Sequence, residues 1–220
     1  MRDLPDTAGR IVAVPLAALT RARGAKPMHP HGVVLDGLLV RSGAGTGVDW
    51  LDAPGTDDVV VRLSRGAGLP PRLPDLLGLA LRLPGPRPVD LLLSSTGSGR
   101  RTRQLPVLRR DAAGGYGSIM AYRTTAGPVR LAAVLEGGRL PADREALAAA
   151  APGRVVTLSA STGRGVARPF ATVTLRAPSR PLDPDVRFDA VLHAPPGLVA
   201  DGPLARFRRP AYAAARAARS

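Results

Sequence analysis

The residues able to do chemistry are few. Three histidines are present, His29, His31 and His193, and there is no cysteine. Absence of thiols removes disulfides, thiolate metal sites, iron–sulfur clusters and cysteine nucleophiles, and fits a cytoplasmic location. His29 and His31 stand together in Lys26-Pro-Met-His29-Pro-His31-Gly32, just ahead of an apolar run. A histidine there can serve as general acid and base; the plainer reading is an ordinary loop residue. A zinc site built on His29 and His31 needs a third ligand that no neighbouring His or acidic motif provides. A serine-hydrolase triad lacks its G-x-S-x-G elbow. Arg62 alternates with valines in Val59-Val60-Val61-Arg62-Leu63-Ser64. It shares a strand face with Ser64, and a buried Arg must pair with an anion. Arg208, Tyr212, Arg216 and Arg219 fall at i, i+4, i+8 and i+11, one face of a helix. A phenol among three cations is either an edge packer on a solvated Arg face or a tyrosinate, because positive charge lowers a phenol pKa.

The elements that must position these groups are mostly strands. From Gly32 onward the chain gives short Val/Leu-rich runs bounded by Gly, Pro and Asp, which predict strands at 32–40, 58–64, 76–83, 89–95, 117–123, 129–136, 154–162, 170–177 and 186–193. Helical signals are limited to an amphipathic arm over 8–23, PADREALAAA at 141–150, and an Ala/Arg-rich C-terminal helix at 203–219. The expected fold is α+β but mainly β: an antiparallel barrel of about eight strands, the size that closes around one small ligand, with a few short helices. Residues 1–25 read as a helical arm and 26–220 as a single barrel domain that includes the C-terminal helix. The arm is not read as a secretory signal. Asp3 and Asp6 precede its apolar stretch, Pro15 interrupts it, and no small-x-small cleavage site follows.

Composition narrows the class further. In 220 residues, 31 basic side chains oppose 17 acidic ones, for a net charge of +14. Only Lys26 among the cations is not arginine, and with so much Ala, Gly and Pro this points to a GC-rich coding sequence as much as to a polyanionic partner. The longest uncharged apolar run, Ile11 to Leu19, is too short to span a bilayer, which needs roughly 20 apolar residues. A nucleic-acid-binding barrel would find phosphate partners in Arg100, Arg101, Arg103, Arg109 and Arg110. Seven aromatic residues in the chain leave few platforms for stacking bases.

Taken in order, these segments resemble the catalase family. Lys26-Pro-Met-His29-Pro-His31-Gly32-Val-Val-Leu-Asp-Gly37 is similar to the catalase segment that carries the distal histidine, which is followed by glycines three and eight residues on. Val61-Arg62-Leu63-Ser64 is similar to the family's R-F-S stretch. Asp75-Leu-Leu-Gly78-Leu-Ala80-Leu-Arg82-Leu83 resembles D-P-R-G-F-A-V-K-F, and Val89-Asp90-Leu91-Leu92-Leu93-Ser94-Ser95-Thr96 resembles W-D-L-V-G-N-N-T. Arg208-Arg-Pro-Ala-Tyr212 with Arg219 downstream matches the proximal R-x-x-x-Y. The resemblance implies a b-type haem with ferric iron, ligated by Tyr212. Arg208 would bond the ligand oxygen, Lys26, Arg62 and Arg219 would pair with the propionates, and Arg216 shares the Tyr212 face. His29 would be the distal acid–base, expected to point into the barrel and to be oriented by Ser64. Ser94 stands where the family has its distal Asn. The implied reaction is peroxidase- or catalase-like, on hydrogen peroxide or an organic hydroperoxide with a small organic donor, in a soluble protein compatible with a homo-oligomer. A catalase-fold protein that has lost haem is the other reading.

Overall fold

Strict alternation decides which side of each strand is buried. In the computed structural model, which describes residues 29–97, 99, 102–163 and 165–200, β1 (His31–Arg41), β2 (Gly55–Arg65), β3 (Asp75–Leu83) and β4 (Val89–Ser95) turn Val33, Leu35, Val61, Leu63, Leu79, Leu81, Leu91 and Leu93 to one common core. Burying each such side chain is worth about 1.5–3 kcal/mol. Further on come β5 (Leu108–Arg109), β6 (Gly114–Gly117), β7 (Tyr122–Thr124), β8 (Gly127–Leu135), β9 (Val155–Thr162), β10 (Arg168–Pro178) and β11 (Val199–Ala200). Among the described residues the helices are α1 (Asp49–Asp52) and α2 (Arg144–Ala150).

Eight strands close a ring in the order β1, β2, β3, β4, β6, β8, β9, β10, with β10 returning to β1; every pair is antiparallel. β5, β7 and β11 attach outside this ring. The expected eight-stranded, mainly β barrel is the observed fold. Gly37 follows a register shift in β1, and a Cβ there would come within 3.1–3.2 Å of Val59, Val61 and Val173, so a side chain would press these three valines outward by a few tenths of an ångström.

Three local expectations need correction. Residues 186–193 are not a strand. Their one backbone bond to β4 runs from Asp90 N to His193 O, and the Asp189 carboxylate accepts from the Val191 and Leu192 N–H groups, the local side-chain bond that favours a turn. The run 117–123 is broken between β6 and β7, where Ile119 adopts φ 61° and the Ser118 hydroxyl donates to Met120 O. Helix α2 starts three residues late. Pro141 bridges to Asp111, Ala142 N donates to Arg110 O, and Asp143 is the N-cap, accepting from Ala146 N. The arm at 8–23 and the helix at 203–219 lie outside the described residues.

The loop between β1 and α1 is closed by Asp52, whose carboxylate accepts from Thr46 N (2.8 Å), Thr46 Oγ1 (3.0 Å) and Gly47 N (2.7 Å). Burial alone would raise its pKa, but these bonds win and hold it below the ordinary carboxylate value. Asp52→Ala should therefore cost about 1–3 kcal/mol at neutral pH, read as a lower denaturation midpoint. Because the folded pKa is depressed, the wild-type advantage should shrink as pH falls through the carboxylate range. An unchanged midpoint would show the loop to be held otherwise.

Candidate active site

The site lies on the outer wall of the barrel, not inside it. Arg62 and Ser64 do share a strand face, but it is the face opposite Val61 and Leu63, which fill the core. The reason is cost: the interior lining is apolar, and a charged guanidinium there would lack partners. On this wall the cross-strand neighbours Gly32, Ser64, Gly78, Ser94 and Gly117 make one row across five strands. No side chain in the row exceeds serine. With strands about 4.8 Å apart, the row forms a shallow trough. Beside it runs a second row of Val34, Arg62, Ala80 and Leu92.

His29 sits in this trough. A Cβ on Gly78 would lie 2.6–2.7 Å from the imidazole and from Ser64 Oγ, so glycine is what makes room for the ring. The imidazole Nδ1 is 2.9 Å from Ser64 Oγ, which is also 3.5 Å from Gly78 O. When the hydroxyl donates to that carbonyl it accepts from Nδ1–H, and the basic lone pair is then on Nε2. The His29 backbone is fixed on both sides: its N–H donates to Gly66 O (2.7 Å), and its carbonyl accepts from Arg62 Nη2 (3.0 Å). The residue adopts φ 57°, an uncommon left-handed conformation for a non-glycine. Strain of this kind persists only where surrounding contacts enforce it. His31, two residues on, is exposed.

Arg62 is buried, and its anion belongs to the chain itself. Nε and Nη2 form a fork on Asp183 at 2.7 and 2.8 Å. The guanidinium lies over Gly32, where a Cβ would come within 2.9 Å of Cζ. The charge assigned to a propionate by family resemblance is thus engaged by Asp183. At the far end of the wall, fully buried Asp90 accepts from Arg82 Nε (2.7 Å) and Nη2 (2.6 Å), Asp189 N (2.7 Å) and His193 Nδ1 (3.0 Å). The bond to Asp90 raises the Arg82 pKa further. His193 therefore belongs to a network that anchors the segment after β10. Asp183 and Asp90 were not singled out by sequence reasoning; Asp183 pairs with a residue 121 positions away, and no local pattern marks it.

Ser94 is half-buried, on the strand next to Gly78. Ala80 and Leu92 beside it are half-buried as well. Lys26, Arg208, Tyr212, Arg216 and Arg219 lie outside the described residues. Among the described residues no group of three His, Asp or Glu is placed to hold a metal ion. The described part of the basic loop uses several of its donors internally. Arg103 donates to Gly165 O, Arg109 to Ala113 O and Gly115 O, and Arg110 to Arg72 O.

With this geometry in view, the structural relatives are informative. The chain is similar to a fungal catalase (TM-score 0.60, 15% identity, covering 94% of this chain and 62% of that one). It is also similar to catalase A from Saccharomyces cerevisiae (0.59, 12%, 92% and 63%). The fold is catalase-like. A bacterial catalase matches as well (0.56, 12%, 92% and 60%). No protein-family model matches the chain, and no curated protein matches it in sequence. At such identities the likeness establishes the catalase-like barrel alone, and the chain spans about three-fifths of the length of these catalases. Among the described residues, no helix is long and apolar enough to cross a membrane.

Proposed function

We propose that this catalase-like barrel is a haem-dependent oxidoreductase acting on hydrogen peroxide or an organic hydroperoxide, with His29 as its distal acid–base. The observation that carries the proposal is the His29–Ser64 contact in a glycine-lined trough: a histidine held by its backbone and by one ring nitrogen, over a flat wall. The residues present fit a planar, largely apolar group. Ala80, Leu92 and Ser94 offer a half-buried surface without long side chains, and the space above Gly78 is one that a Cβ would fill.

In this reading Tyr212 would ligate the haem iron through its phenolate oxygen, and Arg208 would hydrogen-bond that oxygen. Lys26 and Arg219 would hold the propionates, and Arg216, at helical spacing from Tyr212, would stand with them. Arg62, already neutralised by Asp183, positions His29 through its carbonyl. Haem, when bound, would supply the redox chemistry that breaks the peroxide O–O bond. His29 Nε2 would take a proton from one peroxide oxygen. It would return that proton to the other oxygen, which leaves as water, or as alcohol from an organic hydroperoxide. The two electrons that complete the turnover come from an organic donor or a second peroxide, itself oxidised to dioxygen. Ser64 keeps the Nδ1 proton in place so that Nε2 stays basic. Ser94 stands where catalases resemble one another in an Asn, and its shorter side chain reaches less far toward bound peroxide. This favours an organic donor over a second peroxide.

Absorption spectra of the haem-reconstituted full-length chain and of Tyr212→Phe test the proposal. The wild type should give a ferric high-spin tyrosinate spectrum, and the variant, which keeps the aromatic ring but loses the ligand oxygen, should lose it. A wild-type chain that takes up no haem, or a Tyr212→Phe spectrum identical to wild type, would reject the assignment.

A further inference from the structure

A second site lies elsewhere on the outer wall, where the β9–β10 turn meets the loop between β4 and β5. Arg130 on β8 and Ser161 on β9 are cross-strand partners. Alternation turns both away from the core, which their neighbours Val129, Leu131 and Ala160 fill. Arg103, from the loop after β4, lies beside them. Its Nη2 donates to Gly165 O, and Arg130 Nη1 donates to Gly163 O, both at 2.9 Å. Two guanidinium groups are thus tied to the carbonyls of one turn, and both line a single small recess together with Ser161.

This pair of cations has no counter-charge. The wall of the recess contains no acidic residue. Among the described residues neither arginine pairs with a carboxylate. Nε of each is buried without a partner, so water screens the two charges poorly. Arg103 Nη1, Arg130 Nη2 and the Ser161 hydroxyl donate to nothing among the described residues, although Ser161 is only 4% exposed. Like charges in such a place repel, and an uncompensated buried charge is strongly destabilising. Folded proteins seldom leave buried donors unmade.

We infer that this recess binds a monatomic anion of the chloride class, held between Arg103 Nη1, Arg130 Nη2 and the Ser161 hydroxyl. Size decides against an oxyanion such as phosphate: the recess is about 10 Å³, room for a single water-sized occupant. Charge decides against water, which would leave both guanidinium groups unneutralised. Hydrogen bonds from guanidinium and hydroxyl donors to an anion are charge-assisted and roughly twice as strong as neutral ones. The site shares no lining residue with the His29 trough, and its occupancy is measured with no haem added.

Chlorine NMR of the full-length chain, titrated with sodium chloride while sodium gluconate holds the ionic strength constant, tests this. Binding should broaden the chloride resonance saturably. Bromide should remove the excess width, and phosphate should leave it. Arg130→Gln and Ser161→Ala should each weaken chloride at least about tenfold, the loss expected when a hydrogen bond to a charged group goes. Arg130→Gln also releases the Gly163 carbonyl, so Ser161→Ala, which keeps both charges and the turn, is the variant that decides. Arg87→Gln removes the same charge from the exposed β3–β4 turn and should leave the affinity within about twofold, as surface changes usually do. Broadening that does not saturate, that survives unchanged in Ser161→Ala, or that falls equally in Arg87→Gln and Arg130→Gln would mean that only the net positive charge of the chain attracts chloride, and would overturn the inference. Displacement by phosphate as effective as by bromide would overturn the assignment to a monatomic ion.

Discussion

His29→Gln should leave the barrel and haem uptake intact and slow the reaction with peroxide by about 100-fold or more, the loss expected when a general acid–base is removed. Gln preserves the bulk of the side chain and can still reach the Ser64 hydroxyl, but it cannot accept and return a proton. Stopped-flow mixing of the ferric protein with peroxide measures the step directly. His31→Gln is the control. His31 is exposed and begins β1, so its rate should stay within about twofold, by the usual small effect of surface changes. Wild-type rates in His29→Gln would remove His29 from the mechanism while leaving the fold unaffected.

Asp183→Ala should be the most destabilising single change on the outer wall, costing about 3–5 kcal/mol, because it strands the Arg62 charge without its partner. The Arg62 side chain is 6% exposed and that of Asp183 13%, so water cannot take over the bonds without rearrangement. Chemical denaturation should show the loss as a lower midpoint at unchanged slope. The double variant Arg62→Met/Asp183→Leu should recover much of that loss, since replacing a buried pair by apolar side chains is often neutral. It should not recover activity, because the bond from Arg62 to the His29 carbonyl goes with it. Full recovery of both would show that Arg62 has no part in placing His29.

The barrel was legible in the chain because its strands alternate so regularly. Val59, Val61 and Leu63 facing one way and Arg62 and Ser64 the other is a pattern with a single sensible solution. The same pattern also held the answer to which side the site occupies: Arg62 and Ser64 share the face opposite Val61 and Leu63, which fill the core. The expectation of an inward His29 passed over this. His29 with Ser64 was within reach through their segments' resemblance to those of catalases. The clamp on Arg62 was not, since Asp183 lies in an irregular segment that no periodicity marks. Residues 186–193 look like a strand in isolation, with Val186, Phe188, Ala190 and Leu192 alternating. They form no strand because the Asp189 carboxylate accepts from the Val191 and Leu192 N–H groups and holds them in a turn, a local bond that the alternation does not mark.

Closure of the ring at β1 and β10 also sets when the site can exist during folding. Leu38 pairs with Thr174 across that seam, so the seam joins parts of the chain far apart in sequence. Non-local pairings of this kind make all-β domains slow, in the range of milliseconds to seconds. His29 precedes β1 and Asp183 follows β10, and Arg62 on β2 binds both. The histidine therefore reaches its left-handed, hydrogen-bonded pose only once the two distant ends of the ring have met. In refolding, recovery of a native His29 environment should lag formation of the β1–β2 and β2–β3 hairpins and coincide with the last hydrogen bonds of the seam to gain exchange protection.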